Sequence, residues 1–194
     1  MVRFFAIFCL ALFSSGSIAD TRDAEAFKKW VASSGNEEKV NDFTSALDRQ
    51  GVSNLFPSYM ILRSASDWSK CKASPFSVPP AAYQNNLSKT LALAAELKRR
   101  GLMPSGEPVS IYRNKQLNYC AGGADDSAHL TASAIDFSPA SSDNVNELCR
   151  FWREEGRSWN MGISVYPKSR RIHIDTKRYR TWPVKNPVCL TKHF

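Results

Sequence analysis

Two short stretches of the chain carry residues fit for metal chemistry. They are Ser127-Ala128-His129-Leu130-Thr131-Ala132-Ser133-Ala134-Ile135-Asp136-Phe137 and Arg171-Ile172-His173-Ile174-Asp175. Between them they offer two imidazoles and a carboxylate (His129, His173 and Asp136), and they use two of the three histidines in the chain. A catalytic Zn2+ takes that donor set and keeps a fourth position open to water. Period-2 alternation puts Ile172 and Ile174 on one face of the second stretch and Arg171, His173 and Asp175 on the other. The same alternation separates Asp136 from Ile135 and Phe137, with His129 on the loop ahead of that strand. Singly, each motif also has a plainer meaning. H-x-D suits a strand histidine paired with a neighbour, and Asp136 suits a turn or capping carboxylate. Together they point to His129, Asp136 and His173 as ligands of one ion.

The elements that must position these residues can be read from hydrophobic spacing. Ala24 to Ala32 and Glu37 to Arg49 have helical periodicity, broken by Ser33-Ser34-Gly35-Asn36 and ended by Gly51. Tyr59 to Leu62 fits a strand or a short helix, and Pro75, Pro79 and Pro80 mark an irregular connection. Leu87, Leu91, Ala94, Ala95 and Leu97 make the stripe of a helix over Tyr83 to Arg100, stopped by Gly101. Pro108 to Arg113 predicts a strand, and a polar loop, Ala121-Gly122-Gly123-Ala124-Asp125-Asp126, then delivers the first motif. Asn144 to Glu155 predicts a helix. Gly162 to Tyr166 and Arg171 to Asp175 predict a hairpin around Pro167-Lys168-Ser169. This order predicts an α+β fold with a small antiparallel sheet flanked by helices.

Arg3, the apolar run Phe4 to Phe13 and Ser17-Ile18-Ala19 have the three-part pattern of a secretory leader. The run is too short to anchor in a bilayer, and the alternative is an N-terminal core helix. The expected division is 1–19 leader, 20–58 helical cap segment and 59–194 catalytic domain, with no transmembrane segment and a monomeric state. Cleavage after Ala19 places the chain in the periplasm or outside the cell. Four of the five cysteines then remain (Cys71, Cys120, Cys149 and Cys189), and no C-x-x-C pair exists to suggest a cysteine metal site. An even count in an exported chain favours two disulfides, with three pairings open. The formal charge of +8 loses only Arg3 with the leader, leaving +7, which suits an anionic wall polymer or serves solubility alone. Nucleic acid is not expected as a partner, and no histidine–asparagine nuclease pattern is present.

The pattern S-x-H-x-x-x-x-A-x-D, here Ser127, His129, Ala134 and Asp136, followed far downstream by H-x-D, resembles the zinc D-alanyl-D-alanine carboxypeptidase family. Tyr112-Arg113-Asn114, Leu117-Asn118, Ala121-Gly122-Gly123-Ala124, His173-Ile174-Asp175-Thr176 and Tyr179-Arg180-Thr181-Trp182 are similar to one subgroup of it. Leu62 to Trp68 with Cys71 resembles its exported members, so the likeness spans Leu62 to Trp182.

The resemblance implies a hedgehog-like fold, Zn2+ as cofactor, and His129, Asp136 and His173 as its ligands. It implies an exported peptidase that cleaves terminal D-alanine or cross-links in peptidoglycan peptides. Arg113 matches the family arginine that reaches the substrate carbonyl or carboxylate, where a guanidinium would stabilise an oxyanion; a plain salt bridge is the alternative. Ser127 would orient the loop or a ligand. The expected pairing is Cys71 with Cys120, bracketing the approach to the active loop, and Cys149 with Cys189, tying the tail to the last helix.

Two positions depart from the family pattern. The glycine usual three residues after the first histidine is Ala132, expected to be a small steric change. Many members carry an acid three residues before the last histidine, and here Arg170 stands there. Asp175 then becomes the candidate base or, alternatively, the acceptor that orients a ligand histidine, with Asp125 and Asp126 as other candidate bases. The rival function is a zinc-retaining module without a base that binds wall peptides.

Overall fold

The computed structural model describes residues 18–33, 35–138, 145–183 and 189–190. Most of the expected leader, residues 1–17, lies outside the described residues.

Helix α1 (Ile18–Val31) starts ahead of the expected Ala24 and overlaps the last two positions assigned to the leader. Helix α2 (Asn36–Arg49) buries Val40, Phe43, Ala46 and Leu47, one stripe at helical spacing, and opens on Glu37 and Glu38, which suit the positive end of its dipole. Helix α3 (Ser58–Ile61) settles the Tyr59–Leu62 ambiguity as a single helical turn. Helix α4 (Gln84–Arg99) buries Leu87, Leu91, Leu93, Ala94 and Leu97. It closes at Gly101, whose φ of +71° lets Leu102 N–H reach Leu97 O at 2.7 Å, a geometry that suits glycine best.

Strand β1 (Glu107–Ser110) ends before the expected Arg113, and its pairing register shifts between Pro108 and Ser110. Beyond it Ile111 is buried, and Arg113 N–H donates to His129 O at 3.1 Å, which ties this segment to the first motif. Helix α5 (Lys115–Cys120) was not expected; Asn114 caps it by accepting Leu117 N–H at 2.8 Å. Strand β2 (Ala134–Ser138), helix α6 (Val145–Glu155), strand β3 (Gly162–Tyr166) and strand β4 (Arg171–Asp175) follow as read, with Asn144 outside the described residues.

Strand β5 (Arg180–Trp182) is an addition that the sequence pattern did not announce. The sheet order is β1-β2-β4-β3-β5, antiparallel except that β5 runs parallel to β3. The fold is therefore α+β with a five-stranded mixed sheet, and its first four strands are the antiparallel sheet expected. One face of that sheet, with Ile135, Phe137, Ile163, Ile172 and Ile174, joins the helix residues Phe43, Leu91, Leu97, Leu148 and Trp152 in one core. The N-terminal helices share this core. Phe27 and Trp30 of α1 sit 5.1 and 5.7 Å from the Phe76 ring, and Arg63 pairs with both Asp23 and Glu107. Cys71 bonds to Cys120 and Cys149 to Cys189, the pairing expected. Among the described residues no helix is long and apolar enough to cross a membrane.

Candidate metal centre

The opposite face of the sheet carries the candidate ligands Asp136 and His173. Register places Ser110, Asp136, His173, Ser164 and Trp182 in one row across all five strands. Small partners, Ser110 and Ser164, on either side leave space for the two candidate ligands in the middle. His129 enters from a tight 3-10 turn, Ala128–Thr131, whose first residue is preceded by Ser127; the Ser127 hydroxyl accepts His129 N–H at 3.3 Å.

That turn ends at Ala132, which is fully buried with φ +54° and reverses the chain into β2. A glycine would supply this left-handed backbone without strain. The departure at Ala132 is thus a matter of backbone conformation, not of the added methyl's bulk.

The donor atoms converge. His129 Nδ1 lies 2.8 Å from Ile111 O; a carbonyl only accepts, so Nδ1 carries the proton and Nε2 presents its lone pair. Nε2 is buried without a hydrogen bond and stands 3.3 Å from Asp136 Oδ1. His173 Nδ1 approaches the same Oδ1 at 2.8 Å, and its Nε2 is 3.2 Å from Asp175 Oδ2. The two rings meet edge to face at 5.1 Å. One ligand atom from each of His129, Asp136 and His173 lies within 4.8 Å of the others.

Asp136 divides its oxygens between two environments. Oδ1 faces the imidazoles, while Oδ2 accepts Arg113 Nη2 at 2.5 Å and lies 3.6 Å from Arg171 Nη1. Arg113 is itself held by Ser110, whose hydroxyl accepts its Nε–H at 2.7 Å. Burial alone would raise the Asp136 carboxyl, but the imidazoles around it, with His173 hydrogen-bonded to Oδ1, hold it well below the usual range. Burial pushes His129 down to about 4, so at neutral pH it is an uncharged imidazole. His173 goes the other way: burial would lower it, but hydrogen bonds to Asp136 and Asp175 outweigh that and raise it.

A neutral imidazole lone pair set against a carboxylate oxygen in a buried site is repulsive unless a cation lies between them. Two imidazole nitrogens and one carboxylate oxygen are the donors a zinc ion takes, so the residues fit that metal.

The surroundings form a cleft of about 770 Å³. Its walls include Arg113, Ser127, Arg171, Tyr166 and Trp182, and Asp126 stands at its rim. Asp126 is exposed and clasped by Lys177 and Arg178, which lie 3.8 and 3.4 Å from its carboxylate. Asp125 faces a separate groove with Tyr119 and Leu130. Arg170, at the position where many members place an acid, is a turn residue with φ +50° and is not on the cleft wall.

Asp175 is also not on that wall. It is fully buried behind His173, pairs with Arg180 Nη2 at 2.9 Å, and accepts Lys177 N–H at 2.9 Å. A Cβ on its strand partner Gly162 would fall 2.2 Å from Asp175 Oδ2, so glycine there makes room for the carboxylate. Asp175 Oδ2 faces both the His173 ring and Arg180, and its Oδ1 is the oxygen that accepts Lys177 N–H. Sequence spacing did not single out Tyr166. Its signal was the period-2 face that Tyr166 shares with Gly162 and Ser164 on β3.

A family model described as Peptidase M15 matches residues 65–175. That span contains Arg113, Ser127, His129, Asp136 and His173 and ends on Asp175. No curated protein and no solved structure matches the chain.

Proposed function

The chain belongs to the peptidase M15 family of zinc metallopeptidases, and from that premise we propose that it is an exported enzyme that cleaves peptidoglycan peptides, at a terminal D-alanine or at a cross-link. The observation that carries this is the buried His129 lone pair facing Asp136 Oδ1; His129, Asp136 and His173 are the residues that would hold a zinc ion. When bound, zinc supplies Lewis acidity that polarises the scissile carbonyl and makes a nearby water more acidic.

The protein's own groups prepare that centre. Ile111 O fixes the His129 tautomer, and Ser127 holds the turn that carries the ring. Asp175 accepts the Nε2 proton of His173 and so turns Nδ1 toward the centre, which makes it a positioning residue. Arg113 and Arg171 occupy Asp136 Oδ2, keep Oδ1 turned to the two imidazoles, and add positive charge to the cleft wall that would favour an oxyanion.

Two disulfides fit an oxidising compartment, and we assign residues 1–19 as a leader, 20–58 as a helical cap and 59–194 as the peptidase domain, acting as a monomer. The basic chain suits an anionic wall.

One observation favours a second reading, a zinc-holding module that binds wall peptides. Among the described residues the only carboxylates on the cleft wall are Asp136 and the clasped Asp126. Digestion of purified muropeptides by the zinc-loaded chain, followed by mass spectrometry, separates the two. Products that lack a D-alanine or a cross-link support the enzyme; uncleaved peptides that stay bound support the module.

A further inference from the structure

Tyr166 closes β3 on the cleft face, opposite Arg171 of β4 and therefore diagonal to His173. Diagonal neighbours lie about 7–8 Å apart, within reach of an aromatic side chain. Its phenol oxygen accepts the indole N–H of Trp182 at 2.7 Å. Indole nitrogen only donates, so this contact pins the oxygen while the phenol's own proton must point elsewhere. Among the described residues that proton has no protein acceptor, and the residue lines the cleft. The indole that holds the phenol also packs edge-on against the His173 ring at 4.9 Å, so one side chain fixes both.

The cationic donors nearby are already engaged. Arg113 serves Asp136 and Ser110, Arg171 serves Asp136 and donates to Ser66 at 2.9 Å, and Arg180 serves Asp175. A held oxygen with an undirected proton is what an oxyanion donor needs, because it requires no rearrangement as charge develops.

We propose that Tyr166 is a catalytic residue, donating a hydrogen bond to the substrate carbonyl oxygen as negative charge builds there. The inference rests on the peptidase reading above. Only a hydrogen bond forms; the phenol keeps its proton throughout.

The test compares the zinc-loaded wild-type chain with Tyr166→Phe and Trp182→Phe. Muropeptide cleavage is measured beside calorimetric affinity for a phosphinate analogue of a D-alanyl-D-alanine peptide, with zinc content and Tm recorded for each. Tyr166→Phe is expected to lower kcat about 100-fold, with KM changed by less than about threefold and phosphinate affinity falling in parallel. Zinc content and Tm should stay at wild-type values, and Trp182→Phe should show a smaller loss of the same kind. Unchanged kcat and phosphinate affinity in Tyr166→Phe would overturn the proposal, as would losses that simply track lost zinc or lowered Tm. A wild type that binds phosphinate but cleaves nothing would sink the peptidase reading, while weaker binding by Tyr166→Phe would still support the donor. A wild type that neither cleaves nor binds would overturn both.

Discussion

His173 and Asp136 are register partners on β4 and β2, and their side chains meet at 2.8 Å through Nδ1 and Oδ1. A cross-strand pair is among the most rigid placements a sheet offers, so two of three candidate ligands are set by backbone pairing alone. The third, His129, depends on a turn, and that turn hangs on a few local bonds.

Asp175 provides the sharpest test of role. Asp175→Asn keeps the shape but weakens the acceptor for His173 Nε2, so zinc affinity should fall about 10–100-fold. At saturating zinc, kcat should recover to near wild type. Zinc titration with a competing chelator, beside kinetics at each occupancy, checks this. Full zinc content with a collapsed kcat would instead make Asp175 the base.

Ala132 sits at φ +54° in a fully buried turn. Ala132→Gly should relieve about 1 kcal/mol of left-handed strain, less the extra chain entropy of glycine, and so raise Tm modestly. Thermal unfolding of the two proteins measures it, and a lower Tm in the variant would show that the strain is absent.

The candidate ligands were legible because β2 and β4 are strands of strict alternation, where Asp136 and His173 stand out among isoleucine and phenylalanine. The place of Asp175 was not. Both faces of β4 are covered, so a residue on the polar face can be cleft wall or buried support. What decides is Arg180 on β5, a three-residue strand too short to show a period. Helix α5 was hidden for a similar reason: its six residues carry no full stripe, and its cap Asn114 looks like a loop residue. Ala132 was visible as a departure, but only its φ shows what the glycine is for.

The metal-free chain should be most stable near pH 6.5. His173 is raised above its unfolded value of 6.5, so its contribution is complete below that pH and is lost as pH rises through the folded pKa. His129 is depressed to about 4, so between 6.5 and 4 the unfolded chain binds a proton that the folded chain refuses, and stability drops as the pH is lowered. Asp136, held low, adds stability above 3.8 that is lost on further acidification. Zinc needs both imidazoles unprotonated, so its stabilising effect should grow from pH 6 to pH 8. Unfolding temperatures with chelator and with zinc across this range check both statements; a zinc effect that shrinks with rising pH would contradict them.

Each disulfide closes a long loop, with sequence separations of 49 and 40. Chain entropy assigns each about 4 kcal/mol. Cys149→Ser with Cys189→Ser should therefore lower the urea midpoint clearly while leaving zinc content intact, since neither residue touches the centre. Equal midpoints would mean that the bond adds nothing to the fold.

Metal stoichiometry tests the centre most directly. The purified wild-type chain, loaded with zinc and dialysed, should retain one zinc per chain by elemental analysis, and His129→Ala and His173→Ala should retain close to none while staying folded. A wild type that holds no zinc, or a His129→Ala chain that holds as much as wild type, would contradict the account.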